Sequence, residues 1–330
     1  MAGIDVYDLP IKWTAVFPVK NVLFESEMKF STMVAQPDKE ATNFSVEFST
    51  DTTDERVAKE EAFMLFNGLK AILELEIGKP CLIEPPALEI INLGDIKGHA
   101  SFKVLDGESF YNEMFLKSVK VSKENMERIK KIYEYLYPVE FRAVTFDEAD
   151  LQYSVLTMLH WYGRAIEERT RGDQLIALWI SFNAIYSFVW RRDHEEPGRP
   201  DQMTMARHLV KSYLPKSDEC EEIIKRHQYI VYKAMPEPGE KEYLISEFGK
   251  DWKKYCNNPY GFDFWKQHAA RRWTEALCEM IAFIYGVRNG LFHGKWLPND
   301  SELMSESVFT LHDVVSLVLK RLIENTIAKA

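Results

Sequence analysis

The hydrophobic period of this chain changes once, near residue 145, and no other feature restricts the fold as much. Before that point, short stretches repeat every two residues. After it, the apolar positions recur at three and four, as on helices. Ile11-Lys12-Trp13-Thr14-Ala15-Val16-Phe17 nearly alternates. Val22 to Met33 and Asn43 to Phe48 are rich in β-branched and aromatic residues, with Gln36-Pro37-Asp38 read as the turn between them. A capping box, Thr52-x-x-Glu55, opens a helix through Val57, Phe63, Met64, Phe66, Leu69, Ile72 and Leu73, and Gly78-Lys79-Pro80 stops it. Leu82 to Ile91 and Ala100 to Leu105 read as further strands, broken or edged at Pro85-Pro86, and Ser122 to Tyr137 as a helix. Residues 1–145 thus predict an α+β domain. It carries no glycine-rich phosphate loop, no paired carboxylates at catalytic spacing and no metal cluster, and His99, its lone histidine, reads as a loop residue.

From Thr145-x-x-Glu148, a second capping box, the spacing predicts a bundle over residues 146–330. A first helix runs through Leu151, Val155, Met158, Leu159, Tyr162 and Ile166 and is broken at Arg171-Gly172-Asp173. The next, Gln174 to Trp190, is apolar nearly all round, so it is central in a bundle or pressed into a dimer interface. Asn183 interrupts it, and a buried amide needs partners. Helices are expected at 201–213, 218–234 and 240–249, then an irregular aromatic segment from Trp252 to Phe264. A helix runs from Trp273 to Val287, a loop comes at Trp296-Leu297-Pro298-Asn299-Asp300, and a last helix spans Ser301 to Ala328. That helix turns Leu303, Val308, Leu311, Val314, Val315, Val318, Leu319 and Leu322 inward.

Charge narrows the function classes. The net charge of −10 is not that of a general nucleic-acid binder. Residues 1–146 hold 24 acids against 17 bases and residues 147–330 hold 27 against 24, so the second part is close to neutral and any RNA contact there is local and salt-sensitive. No apolar run approaches the roughly 20 residues of a membrane span, and the start of the chain has no secretory pattern. Cys81, Cys220, Cys256 and Cys278 form no C-x-x-C pair and are expected to be reduced, mostly buried thiols of a cytoplasmic protein, with no zinc site.

One stretch stands out: Tyr285-Gly286-Val287-Arg288-Asn289-Gly290-Leu291-Phe292-His293-Gly294-Lys295. It sets an arginine, an amide and a histidine among apolar residues that read as core, Leu291 and Phe292 included. A charged group so close to a core is normally paired or working. Asn289 and His293 are four apart and share a helix face. Arg288 and His293 are about 140° apart at the helical period, so they converge only if the helix loosens near Gly290 or the target is wide. The plainer alternative is a helix C-terminus, with Arg288 and His293 on the last carbonyls and Gly294 as the residue that ends it.

Three pieces in order carry a resemblance: Leu159-His160-Trp161-Tyr162-Gly163-Arg164-Ala165, Leu175 to Tyr186, and Tyr285 to Lys295 with one last amphipathic helix after it. Together they resemble the HEPN family, most closely its ApeA-like branch. Its Arg-polar-x-x-x-His motif is matched by Arg288-Asn289-Gly290-Leu291-Phe292-His293. The resemblance covers about residues 146–330, with 192–270 as an inserted helical segment, and leaves the N-terminal domain unmatched. It implies an all-α HEPN-like bundle acting as a homodimer. The implied activity is that of a metal-independent endoribonuclease needing no cofactor, with Arg288, Asn289 and His293 catalytic and Asn183, Gly290, Gly294 and Lys295 supporting. Relatives often carry an acidic residue near the place of Asn183, which can hydrogen-bond Arg288 but not pair its charge. The alternative role is a non-catalytic RNA- or nucleotide-binding or dimerisation module. Family members resemble toxins and antiphage defence effectors. An attached domain, a regulatory partner or an antitoxin restrains them, and residues 1–145 could fill the first of these roles by analogy of architecture.

Overall fold

The structure is a computed structural model that describes residues 11–31, 33–50, 55–83, 87–90, 118–136, 146–168, 170–194, 200–227, 230–254, 256, 258–292 and 301–327. The chain divides into two compact units, Met1–Phe146 and Asp147–Ala330. The described residues of the first contain the strands and two helices. The described residues of the second contain helices and no strand.

In the first unit, strands β1 (Ile11–Val19), β3 (Met28–Lys29), β4 (Met33–Pro37), β5 (Thr42–Thr50) and β6 (Ala87–Ile90) form an antiparallel sheet in the order β3-β4-β5-β1-β6. Strand β2 (Val22–Phe24) pairs separately, in parallel, with β7 (Val119–Val121). The alternation read in β1 places Trp13, Ala15, Phe17 and Val19 on a buried face. Helix α1 (Glu55–Ile77) covers that face, with Phe66 stacked on Phe17 at 4.3 Å and Phe63 edge-on to Phe17 at 5.2 Å. Gly78 ends α1 with a φ of 69° and an N–H donated to the Glu74 carbonyl, a geometry glycine adopts without strain. Buried Glu74 is satisfied locally, by Lys70 at 3.0 Å and by the Cys81 N–H at 2.9 Å. Helix α2 (Lys123–Leu136) packs on α1 with Met126, Ile129, Ile132, Tyr133 and Leu136 inward.

The second unit contains α3 (Phe146–Glu167), α4 (Arg171–Asp193), α5 (Gln202–Tyr213), α6 (Ser217–Arg226), a π-turn (Ile230–Ala234), α7 (Glu240–Phe248), a 3₁₀ turn (Gly249–Lys254), α8 (Phe264–Ala269), α9 (Trp273–Phe292) and α10 (Ser301–Ile327). Helices α4, α9 and α10 pack against one another, and α5 and α6 fill the side between them. The segment read as an insertion therefore supplies core: Leu209, Val210, Leu214, Cys220, Ile224 and Ile230 are all buried. Leu303, Val308, Leu311, Val314, Val315, Val318, Leu319 and Leu322 of α10 are buried, the face its period predicts.

Several boundaries differ from the sequence reading. Gln36 and Pro37 lie in β4, and the turn comes one step later, closed by Asp38 N–H to the Ala41 carbonyl at 2.8 Å. The stretch 22–33 is broken because β2 and β3 belong to different sheets. Of Leu82 to Ile91, the described strand is Ala87–Ile90. Arg171-Gly172-Asp173 does not break a helix but starts one: Thr170 caps α4, its Oγ1 accepting the Asp173 N–H at 3.1 Å, and Asp173 suits the positive end of the dipole. Helix 218–234 is split into α6 and the π-turn. Residues 52, 99–105, 145 and 296–300, including both threonines read as helix caps, His99 and one expected strand, lie outside the described residues, as do the side chains of Glu55 and Glu148.

Candidate functional site

Helix α9 continues past Val287 and through buried Gly290 to Phe292, so the Arg288-Asn289 pair sits in its last turns. The sequence favours this extension: Ile281, Phe283, Ile284 and Val287 keep the inward period, and Gly286 and Gly290 add no bulk on a buried side. Asn258 occupies the space at Gly286. Its Nδ2 donates to the Phe283 carbonyl at 2.8 Å, and its Oδ1 accepts the Tyr260 N–H at 3.2 Å. Gly261 closes the same connection. Its φ is 84°, and a Cβ there would fall 2.9 Å from Met235 Cε and 3.1 Å from Phe283 Cβ. Tyr260 meets Tyr285 edge-on at 5.3 Å. Nothing in the 3.6 period marks Asn258 or Gly261 as supports of α9, because they lie in an irregular segment.

Arg288 is partly exposed. Its Nη1 donates to Asn289 Oδ1 at 2.9 Å, its guanidinium carbon lies 4.1 Å from the Phe292 ring centroid, and its buried Nε has no hydrogen-bond partner among the described residues. Burial lowers its pKa from the usual arginine range, with Tyr285 and Tyr186 acting the other way. No carboxylate pairs with it among the described residues. Phe292 was expected in the core. It is 54 % exposed, because at the end of α9 its ring lies against the guanidinium instead of a neighbouring helix.

Asn183, expected within one or two hydrogen bonds of this cluster, makes no bond to Arg288 among the described residues. Asn183 is only half-buried, and its Oδ1 accepts from Ser187 Oγ, one turn along α4, at 3.0 Å. Asn289 takes the arginine in its place. His293, Gly294 and Lys295 lie outside the described residues.

Two residues that the sequence reading treated only as apolar filling belong to this neighbourhood. Trp179 of α4 lies against Tyr285 with ring centroids 5.3 Å apart, and Tyr186 is close enough to Arg288 and Tyr285 for their charges to influence it. Burial, more than any neighbour, raises the Tyr186 pKa, so its hydroxyl stays protonated. Their seven-residue spacing, two helical turns, was the available signal.

Other polar clusters in this unit satisfy themselves. Asp313 of α10 lies 2.8 Å from Arg226 Nη1 and 3.1 Å from His227 Nε2, and neighbouring His312 meets the Tyr162 hydroxyl at 2.7 Å. Burial opposes ionisation of Asp313, but the hydrogen bonds of His227 and His312 and the charge of Arg226 hold its carboxyl well below the usual range. Asp193 likewise joins His208 at 2.9 Å and Arg192 at 2.6 Å, beside Trp190 and His194 stacked at 3.7 Å. Among the described residues, no group of three or more His, Cys, Asp or Glu is arranged to hold a metal ion, and no helix is long and apolar enough to cross a membrane. Comparison with protein-family models, with curated proteins and with solved structures finds no match for this chain.

Proposed function

We propose that residues 146–330 form an endoribonuclease of HEPN type that works without a metal. Its site is Arg288, Asn289 and His293, two copies of which face each other across the groove of a homodimer. The observation that carries this reading is the state of Arg288: a partly desolvated guanidinium with no carboxylate partner among the described residues, held by a neighbouring amide and an aromatic ring, is set to receive an anion. A phosphodiester fits. The ribose 2′-oxygen forms a bond to phosphorus as its proton passes to a base, the bond from phosphorus to the 5′-oxygen breaks, and a proton is delivered to that leaving oxygen. The products are a 2′,3′-cyclic phosphate and a 5′-hydroxyl. Imidazole is suited to both proton transfers, the role of His293, while Arg288 stabilises charge on the phosphoryl oxygens. Asn289 orients the fork of Arg288. In this reading the protein is a toxin or antiphage effector, and the N-terminal unit, an antitoxin or another partner holds it in check.

The test is incubation of wild type and His293→Ala with RNA in EDTA, with end-group analysis of the products. Cleavage by wild type alone, ending in 2′,3′-cyclic phosphate and weakening as salt rises, is the expected result. A second reading, a binding module that does not cut, is favoured by the engagement of Asn183 with Ser187, which leaves Arg288 without the tie expected from α4. RNA retained by both proteins with no cleavage by wild type would decide for it.

A further inference from the structure

The segment from the 3₁₀ turn to the start of α9 concentrates positive charge and aromatic rings. Residues 250–272 hold six lysines and arginines against two aspartates, in a chain whose net charge is −10. Both aspartates are engaged locally, Asp251 by Lys254 at 2.8 Å and Asp263 by Lys241 at 3.8 Å. Arg271 and Arg272 are exposed and pair with no carboxylate among the described residues, Glu275 in the first turn of α9 included. The backbone at Arg271 is unusual. Helix α8 ends in a Schellman turn, with the Arg271 N–H donated to the His268 carbonyl at 3.0 Å and the Arg272 N–H to the Gln267 carbonyl at 2.9 Å. Glycine usually takes the left-handed position of that turn. Here Arg271 takes it, with a φ of 55°, as the one non-glycine residue of positive φ among the described residues. Glycine would close the turn without strain, so the fold alone does not call for an arginine.

The same turn folds Trp273 back on His268, ring centroids 5.0 Å apart and edge-on, and His268 meets Trp265, one helical turn earlier, at 5.7 Å. All three rings are partly exposed, and Arg271 and Arg272 occupy the turn between the second and the third. Trp252 of the 3₁₀ turn extends the patch. It meets Phe262 edge-on at 5.3 Å, and Lys253 Nζ lies 5.9 Å from its ring. Exposed guanidinium groups with no carboxylate suit phosphates, and partly exposed rings suit unpaired bases. A single strand presents both in alternation. An acidic peptide would use the cations and leave the rings idle, and a duplex keeps its base faces stacked inside.

We propose that this corner, built from Trp265, His268, Arg271, Arg272 and Trp273, binds single-stranded RNA at a place separate from the cleavage site. Trp273 begins α9 and Arg288 lies near its other end, about 22 Å away at 1.5 Å per residue. The proposal rests on the reading of RNA as the substrate and adds the surface that holds the strand away from the reacting phosphate. The two arginines take phosphates and the rings take bases. None of the five takes part in the proton transfers.

The full chain is titrated into a fluorescein-labelled 2′-O-methyl oligouridine, which cannot be cleaved, and its anisotropy is recorded over a range of salt. The same strand paired with oligoadenosine is the second probe. The proteins are wild type, Arg271→Gly, Arg272→Ala, Trp265→Ala and Arg288→Lys, each also melted and assayed for cleavage of unmodified RNA. Arg271→Gly and Arg272→Ala should each weaken single-strand binding and reduce the slope of log K against log salt by about 0.7, the loss of one phosphate contact. Trp265→Ala should weaken it about tenfold, as for one lost base stack. Arg271→Gly should melt no lower than wild type, because glycine relieves the turn, so its loss of binding is not a loss of folding. Wild type should prefer the single strand to the duplex. Unchanged single-strand binding by both arginine variants overturns the proposal, as does equal affinity for the duplex. The nuclease reading is tested separately, since Arg288→Lys should lose cleavage and keep most of the binding. Cleavage by wild type with binding unchanged in the arginine variants removes this surface and leaves that reading. Binding lost in the arginine variants, with no cleavage by wild type, does the reverse.

Discussion

At the scale of residues, the site depends on how tightly α9 is held one turn before Arg288. A Cβ at Gly286 would fall 1.9 Å from Asn258 Oδ1, and Asn258 cannot move aside without losing its bonds to Phe283 and Tyr260. Two effects oppose each other in Gly286→Ala. Alanine favours the helix by up to about 1 kcal/mol, whereas overpacking a filled site costs about 1–3 kcal/mol. The clash is the larger, because the contact is far inside van der Waals distance and the amide is buried. Gly286→Ala should therefore lower stability in denaturant unfolding. In an Asn258→Ala background, where the obstacle is gone, the same change should cost much less. Equal costs in the two backgrounds would show that Asn258 does not restrain this turn.

Between elements, Asp313 ties together α3, α10 and the C-terminal end of α6. Tyr162 of α3 bonds His312, and Arg226 and His227 reach Asp313 from the end of α6. Its carboxyl is held below the usual range in the folded protein, so the charged form stabilises the fold. That stabilisation is complete above the unfolded pKa, about 3.9. It is lost as pH falls from there through the depressed folded value. Asp313→Asn should cost about 1.5–3 kcal/mol near neutral pH, the range for hydrogen bonds to a charged group. The gap between variant and wild type should close as pH drops below about 4. A gap that stays constant with pH in parallel melts would mean that the charge of Asp313 is not what matters.

For the whole molecule, the open question is the partner surface of the second unit. Helix α4 is less enclosed than its sequence suggested: Ile176, Ile180, Asn183, Ala184 and Ser187, a stripe at helical spacing, are all partly exposed. If two motifs face one groove, as the proposed function requires, the chain should scatter light as a dimer at micromolar concentration, and Ile180→Asp should reduce the dimer and cleavage together. A wild-type monomer that still cleaves RNA would remove the homodimer from the mechanism.

The sequence by itself determined the change from strands to helices near residue 145, most of the helices and the buried face of α10. These come from period, and period is a local property of the chain. It also singled out Arg288 and Asn289, whose polarity conflicts with their apolar surroundings. Element edges were less legible. Arg171-Gly172-Asp173 reads equally as an end or a beginning until the hydroxyl of Thr170 is seen to cap α4. What only the tertiary structure decided is which side chains share a neighbourhood. Asn183 turned to Ser187 and Asn289 took the arginine, because a side chain bonds what lies within reach. Trp179 and Tyr186 looked like two more apolar positions on a greasy helix. Only the packing of α4 against α9 sets Trp179 against Tyr285 and Tyr186 within the influence of Arg288, since that depends on a contact more than a hundred residues away along the chain.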